Sequence, residues 1–191
     1  MSGHSKWATT KRQKASTDEA KSRVFANFSR LIALESKKTA GDISSPGLSS
    51  AISRAKSVNM PKDSIDRAVA KGISKDADTL EQIVYEFYGP SGIAIVVDAL
   101  TDNRNRTTQE VKHLLSKQGY ELSTPGSASW AFTKEKNGKY IPAEQTILEL
   151  SEDDEEKLTT LLTLLDEHED VQTIYTNARG YENTRDEDSG D

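Results

Sequence analysis

The chain has 191 residues, a hydrophobic fraction of 34% and a formal net charge of -6. That hydrophobic fraction is low for one large globule and favours two modest cores. The absence of cysteine excludes a disulfide framework and thiolate chemistry, and it agrees with a reducing cytoplasm. No apolar run approaches the roughly 20 residues that span a bilayer, so we expect a soluble cytoplasmic protein with no membrane partner.

The charge is distributed unevenly along the chain. Residues 1–75 hold 15 Lys and Arg against 6 Asp and Glu, a net charge of +9, whereas residues 76–191 hold 10 against 25, a net charge of -15. Such asymmetry is typical of a basic binding module joined to an acidic one. The acidic total therefore does not exclude nucleic acid as a ligand.

Residues 1–16 form a basic segment that has no acid and hardly any apolar residue. Its cations and its aromatic residue are Lys6, Trp7, Lys11, Arg12 and Lys14. Cations can contact phosphates while an indole stacks on a base, so we predict a flexible arm that binds nucleic acid. Alternatively, Trp7 packs on the neighbouring domain and anchors the terminus.

Residues 17–75 have apolar positions three and four apart, as on one face of a helix. The three predicted helices run from Thr17 to Lys38, from Pro46, and from Pro61 to a C-terminal stop at Gly72. Each helix offers little apolar area, so the three must pack together as a small helical bundle. Residues 73–79 are polar and acidic and predict a linker.

Residues 76–178 change to an extended pattern. The first predicted strand is Gln82–Tyr88. Six elements follow in the order strand, helix, strand, strand, helix, strand. They are the strand Ile93–Leu100, the helix Thr108–Gln118, the strands Ser127–Thr133 and Lys139–Leu150, a helix capped by Ser151, and the strand Val171–Thr176. With right-handed crossovers this order gives a ferredoxin-like α/β sandwich, two helices on one face of an antiparallel sheet, and an α+β fold class overall. We expect the other sheet face to be open, as in RNA-binding platforms. Residues 179–191 predict a disordered acidic tail.

The junction of the second strand and its helix carries two arginines. Thr107 and the acid three residues later have the spacing of a capping box, which predicts a helix N-terminus beside Arg104 and Arg106. The helix dipole and the two guanidiniums together favour an anion such as a phosphate. Alternatively, Asp98 and Asp102 pair with the arginines and brace the turn.

Two features describe the third and fourth strands. Asn137-Gly138 is the strongest short hairpin signal in the chain, so it should join the two strands. Along the third strand, Ala128, Trp130 and Phe132 alternate onto one face.

Several segments resemble the YebC family. They are GHSKW at Gly3–Trp7, NMPKDSIDRAVAKG at Asn59–Gly72, YEFYGPSGIAIVVDALTDNRNRT at Tyr85–Thr107, and LTTLLTLLDEHEDVQTIYTN at Leu158–Asn177. The family includes bacterial proteins named as probable transcriptional regulators and the mitochondrial translational activator of cytochrome oxidase. The resemblance implies nucleic-acid binding in the control of gene expression, either as a DNA-binding transcriptional regulator or as a ribosome-associated translation activator.

The chain departs from this family at one place. Family members carry a third domain between the two strands that Asn137-Gly138 joins here. A hairpin tip is a place where an insert can be lost without disturbing the sheet. We therefore expect a shortened form that lacks the inserted third domain, and family roles that need that domain are not implied for it.

The candidate nucleic-acid-binding residues combine the arm, two lysines of the bundle and the two arginines. They are His4, Lys6, Trp7, Lys11, Arg12, Lys14, Lys21, Lys62, Arg104 and Arg106. The expected partner is nucleic acid, DNA or RNA, with the ribosome as a further candidate.

Two other classes of protein agree less well with the sequence. A nuclease or hydrolase is disfavoured because the histidines are scattered and no triad, paired-carboxylate, phosphate-loop or metal-ligand spacing occurs. We expect no enzyme, no metal or other cofactor and no small-molecule substrate. A pure interaction protein could dock its acidic half on a basic partner, but it would not require the +9 charge of the first half.

Overall fold

The computed structural model describes residues 18–74, 80–135 and 138–181. Within these ranges, three helices are followed by a region of antiparallel strands and two helices, which confirms the predicted α+β class. The first three helices are α1 (Asp18–Lys38), α2 (Pro46–Ser57) and α3 (Lys62–Ile73). The second region contains β1 (Glu81–Tyr88), β2 (Ala94–Thr101), α4 (Arg104–Lys117), β3 (Phe132–Lys134), β4 (Tyr140–Pro142), α5 (Glu152–Asp166) and β5 (Val171–Thr176).

The first three helices share one apolar core. Ile32 of α1, Leu48 and Ala55 of α2 and Ile65 of α3 are all buried in it. Because each helix contributes only a narrow apolar stripe, none could bury that stripe without the other two. The predicted three-helix bundle is confirmed.

Gly72 lies inside α3 and is not its C-terminal stop, which corrects the prediction. A Cβ at this position would lie 2.4 Å from the carbonyl oxygen of Ala33 and 2.7 Å from the Cβ of Ser36. The Ser36 hydroxyl also donates to the Val69 carbonyl at 2.8 Å. Glycine is therefore required by the close approach of α1 and α3, and the helix continues to Ile73.

The main sheet has the strand order β1-β2-β5, with both pairs antiparallel and β2 at its centre. Helices α4 and α5 cover one face of it. The core between them is built from buried residues of both layers, including Phe87, Ile95, Val97, Val111, Leu115, Leu158, Leu161 and Ile174. The predicted arrangement of two helices on one face of an antiparallel sheet is confirmed, with β1 as the additional strand.

The opposite face of this sheet is covered, so the expectation of an open platform is wrong. Strands β3 and β4 form a separate two-stranded antiparallel sheet. Its aromatic residues pack on the main sheet: the Tyr140 ring lies 5.3 Å from the ring of Tyr175 and 6.2 Å from that of Phe132. Val96 of the central strand is fully buried beneath them. The hairpin therefore occupies the sheet face that was expected to be open.

The hairpin between β3 and β4 is confirmed. Gly138 has a φ of +87°, its N–H donates to the Glu135 carbonyl at 2.9 Å, and the Glu135 N–H donates to the Lys139 carbonyl at 2.8 Å. Asn137 itself lies outside the described residues. Strand β4 ends at Pro142, earlier than predicted, because proline has no N–H for the ladder and a 3-10 turn follows.

The predicted strand over 127–133 is reduced to the three residues of β3. Residues 129–131 form a 3-10 turn instead. The carboxylate of Glu86 accepts hydrogen bonds of 2.8 Å from three backbone N–H groups in residues 126–129, which withdraws these donors from a strand ladder. The predicted alternation of Ala128, Trp130 and Phe132 onto one face is therefore wrong: Trp130 is 65% exposed, whereas Ala128 and Phe132 are buried.

The acidic tail cannot begin at residue 179 as predicted. Tyr181 is 2% exposed and belongs to the main core, with its hydroxyl 3.2 Å from the hydroxyl of Thr159. Arg179 contacts the Glu149 carboxylate at 3.0 Å. A tail over residues 182–191 stays a prediction, because those residues lie outside the described ranges.

Helix α1 also contacts the second region. The side-chain amide of Asn27 donates to the Val171 carbonyl at 3.1 Å, and Arg30 donates to the Asp170 carboxylate at 3.0 Å. The division into a 17–75 bundle and a 76–178 domain stays a prediction, with its linker partly outside the described residues. None of the helices in the described ranges is long and apolar enough to cross a membrane.

Candidate nucleic-acid interface

Helix α4 begins one turn earlier than predicted, at Arg104. Its N-cap is Asn103, whose side-chain oxygen accepts from the backbone N–H of Arg106 at 3.1 Å. Thr107, the predicted cap, is buried inside the helix, and its hydroxyl lies 2.6 Å from the Asp170 carboxylate. The predicted capping box is therefore wrong, because this hydroxyl joins α4 to the residue before β5.

Arg104 and Arg106 both lie in the first turn of α4, but their guanidiniums have different partners. Successive residues of a helix are rotated by about 100°, so residues two apart point to nearly opposite sides. Arg104 is 63% exposed, with its guanidinium 3.6 Å from the Glu81 carboxylate. Arg106 contacts Asp102 at 3.2 Å and Asp170 at 2.9 Å. The two arginines therefore do not form one fork around a single phosphate.

The bracing alternative holds for one arginine. Asp102 pairs with Arg106, whereas Asp98 accepts from the side-chain amide of Gln82 at 2.8 Å. Burial works against the charge of Arg106, but the surrounding carboxylates, led by Asp170, outweigh it and raise the pKa of Arg106. Arg106 is thus already paired with carboxylates of the protein itself.

Asp170 is the centre of this network, although only 1% of it is exposed. Its carboxylate accepts from Arg30 at 3.0 Å, from Arg106 at 2.9 Å and from the Thr107 hydroxyl at 2.6 Å. Its backbone carbonyl accepts from the N–H of Leu100 at 2.8 Å. A buried carboxylate requires partners of this kind because leaving its charge unpaired is costly. Asp170 consequently ties α1 of the bundle to α4 and to the main sheet.

Glu110, His168 and Asp170 form a group of possible metal ligands in the described ranges, with ligand atoms within 4.8 Å of one another. These atoms already have partners. The Nε2 of His168 lies 3.2 Å from the Glu110 carboxylate, and its Nδ1 accepts from the Asp170 backbone N–H at 3.2 Å. A metal cation at this position would also be repelled by the two guanidiniums that contact Asp170. The arrangement therefore fits an ion-pair network better than a metal centre.

Lys21 and Lys62, two of the predicted contacts, are both exposed. Lys21 lies in the first turn of α1, and Lys62 is the first residue of α3. Gly47 at the start of α2 lies beside Glu35, and Arg54 near the end of α2 lies over the Phe28 ring, so α2 runs antiparallel to α1. The short connection 58–61 then starts α3 at the N-terminal side of α1, which places Lys62 toward the same end of the bundle as Lys21. Neither lysine has a carboxylate partner among the side chains that the structure describes, which in α1 begin at Lys21.

The other predicted contacts precede the described residues. They are His4, Lys6, Trp7, Lys11, Arg12 and Lys14. Because the chain enters α1 at its N-terminal end, the predicted arm is joined to the bundle at the end where Lys21 lies.

Arg30 and Asp170 were not predicted from the sequence. They are 140 positions apart, so no local spacing connects them. The one usable signal was an acid placed directly before an apolar strand. A carboxylate at such a position is buried, and a buried charge requires a partner.

Two family models match the chain. One, described as the TACO1/YebC protein N-terminal domain, matches residues 5–75. The other, described as the TACO1/YebC second and third domain, matches residues 80–139. Together they account for well over half of the sequence.

Curated relatives extend over most of the chain. It is 44% identical over 152 residues to a "Probable transcriptional regulatory protein" of Pectobacterium atrosepticum, which covers 78% of this chain and 62% of that protein. A protein of the same name from Chlorobaculum parvum is 40% identical over 186 residues, covering 90% of this chain and 74% of that one. The chain thus spans about three fifths to three quarters of these relatives' lengths.

A solved structure has the same fold. The crystal structure of a conserved hypothetical protein from Aquifex aeolicus matches with a TM-score of 0.73 and 26% identity, covering 86% of this chain and 93% of that one. The order of the matched family segments also agrees with the bundle followed by the sheet region. The chain belongs to the TACO1/YebC family.

Proposed function

We propose that the protein is a nucleic-acid-binding regulator of gene expression, and specifically a DNA-binding regulator of transcription. One observation carries the proposal: Lys21 and Lys62 are exposed, without carboxylate partners among the described side chains, at the end of the bundle that the basic arm adjoins. The relatives' name, "Probable transcriptional regulatory protein", supports the same conclusion.

The chemistry of these cations suits the phosphate backbone. Exposed lysines that contact phosphates release condensed counterions, which supplies affinity without sequence choice. The N-terminal ends of α1 and α3 lie at the same end of the bundle and add partial positive charge there. Arg104 could extend the contact along the second region, whereas Arg106 positions α4 through Asp170.

RNA on the ribosome is the second candidate ligand. The exposed indole of Trp130 favours it, because unpaired bases stack on exposed aromatic side chains. We propose no catalytic role. In the described ranges His113 is exposed on α4, and His168 belongs to the ion-pair network.

The proposal is tested by titrating the full chain with duplex DNA and with single-stranded RNA over a range of salt concentrations. Changing Lys6, Lys11, Arg12 and Lys14 together to Ala should weaken binding to all sequences alike. The slope of log affinity against log salt should fall by about 0.7 to 0.9 for each phosphate that the arm no longer neutralises.

An unchanged salt slope in this variant would remove the arm from the interface. If the unmodified chain binds neither ligand at low salt, the proposed function is wrong. Tighter binding to RNA than to DNA would select translation over transcription.

A further inference from the structure

Trp130 is an unusual surface residue. It is 65% exposed, although tryptophan is highly buried on average in folded proteins. The residues on either side of its turn, Ala128 and Phe132, are buried in the core beneath the hairpin. The turn therefore directs this one large aromatic side chain outward while its neighbours anchor the backbone.

The indole is held by hydrogen bonds and is not simply loose on the surface. Its Nε1 donates to the hydroxyl of Tyr88 at 3.0 Å, and that hydroxyl donates to the backbone carbonyl of Ser127. Tyr88 ends strand β1 and is itself 37% exposed. The two aromatic residues thus form a fixed exposed pair at one end of the sheet.

A buried carboxylate supports this pair from below. Glu86, two residues before Tyr88 and on the same face of β1, accepts backbone hydrogen bonds from Gly126, Ala128 and Ser129. Burial works against its charge, but the three N–H donors outweigh it and lower the pKa of Glu86. The fold therefore uses a charged group to fix the backbone that presents Trp130.

The local charge around this pair differs from that of its domain. Residues 122–143 hold three lysines and one acid, whereas residues 76–191 as a whole carry a net charge of -15. Lys134 of this segment lies on β3, with its ammonium group 5.0 Å from the centre of the Tyr140 ring. An anionic ligand is therefore tolerated here better than elsewhere on the acidic half.

We propose that Trp130 and Tyr88 form a stacking site for an unpaired base of single-stranded nucleic acid, with the hairpin lysines near the backbone phosphates. Each base has a flat π-face, so an exposed, rigid indole can bind it with little sequence preference. This inference rests on the proposed nucleic-acid-binding function and adds a second contact surface to it. In a duplex the bases are already stacked, so the site selects single strands.

The experiment uses the emission of Trp130 in the full chain. Trp7 and Trp130 are the two tryptophans of the sequence, so a Trp7→Phe background assigns the signal to Trp130. The probes are single-stranded DNA and RNA of about 12 nucleotides, within the usual size of such sites, and a duplex of the same length. Single strands should quench the emission, and the duplex should not.

Variants separate stacking from general loss of binding. Trp130→Ala should weaken single-strand binding about tenfold and leave duplex binding unchanged, while Trp130→Phe should retain part of the affinity because a ring is kept. Ile141→Ala, at another exposed apolar residue of the hairpin, is the matched control and should have no effect. The melting temperatures of all variants verify that they fold.

The outcomes distinguish the two proposals. If the chain binds single strands but the Trp130 emission and the Trp130→Ala affinity do not change, the stacking site is wrong while nucleic-acid binding stands. Quenching by duplex and single strand alike would also overturn it. If no nucleic acid binds at all, both proposals fail.

Discussion

The two basic regions of the molecule use their cations in different ways. At the N-terminal end of the bundle, Lys21 and Lys62 are exposed and have no partner among the carboxylate side chains that the structure describes. At the start of α4, Arg106 lies between Asp102 and the buried Asp170. A basic residue in a promising motif is therefore less available to phosphate where a buried carboxylate such as Asp170 already binds it.

The largest effect should follow from removing the charge of Asp170, the centre of the network around Arg106. Asp170→Asn keeps the shape of the side chain but leaves Arg30 and Arg106 facing a neutral group. We expect a loss of about 3 kcal/mol in the free energy of unfolding, the low end for a broken buried ion pair, because both guanidiniums still reach solvent. Urea unfolding monitored by circular dichroism measures this loss.

Asp102→Asn is the matched control for this change. The Asp102 side chain is 58% exposed and pairs with the same Arg106. An exposed ion pair contributes little, so the loss should stay below about 1 kcal/mol. Equal losses in the two variants would contradict the description of Asp170 as the centre of the network.

Glu86 extends the comparison to a carboxylate that is stabilised by backbone N–H groups. Glu86→Gln should cost about 2 kcal/mol at neutral pH, as expected for hydrogen bonds to a charged group. Because the folded-state pKa of Glu86 lies below its ordinary value of 4.5, its stabilisation is complete above that pH. It is lost as the pH falls through the lowered folded-state pKa.

Unfolding measured from neutral to acidic pH tests this sign. The unmodified chain should lose stability more steeply in acid than the Gln variant. Glu81→Gln, on the same strand but with a side chain 47% exposed, should leave the acid slope nearly as it is. A Glu86→Gln variant with an undiminished acid slope would show that this carboxylate does not hold the loop.

A smaller and more selective effect should separate the two arginines of α4. Arg106→Lys should cost about 1 kcal/mol of stability, because lysine keeps the charge but loses the planar fork, and nucleic-acid affinity should stay the same. Arg104→Lys should leave the melting temperature unchanged and reduce affinity about fivefold, the equivalent of one exposed charge-assisted contact. The opposite pattern would exchange the roles of the two residues.

Much of the architecture could be predicted from local signals. The apolar spacing located the three bundle helices, the Asn137-Gly138 pair located the hairpin, and Ser151 located the start of α5, where its hydroxyl accepts from the Asp154 N–H. These features depend on residues that are close in sequence, so the pattern contains the necessary information.

The errors arose where distant residues decide between local alternatives. Asn103 and Thr107 are both suitable caps, and the choice is set by Asp170, which takes the Thr107 hydroxyl. The strand pattern around Trp130 was overridden by Glu86, some 40 residues earlier, whose carboxylate takes the backbone donors. In both cases a buried carboxylate outweighed the local preference because its charge had to be satisfied.

The most direct test of the proposed binding surface compares two matched pairs of exposed lysines. Lys21→Ala with Lys62→Ala removes the bundle cations, and Lys112→Ala with Lys117→Ala removes two exposed lysines of α4. The measurement is the affinity of each full-length double variant for nucleic acid as a function of salt. We predict that the salt slope of the bundle variant falls by about 0.7 to 0.9 per lysine and that the α4 variant matches the unmodified chain. Equal slopes in the two variants would contradict the assignment of phosphate binding to the bundle.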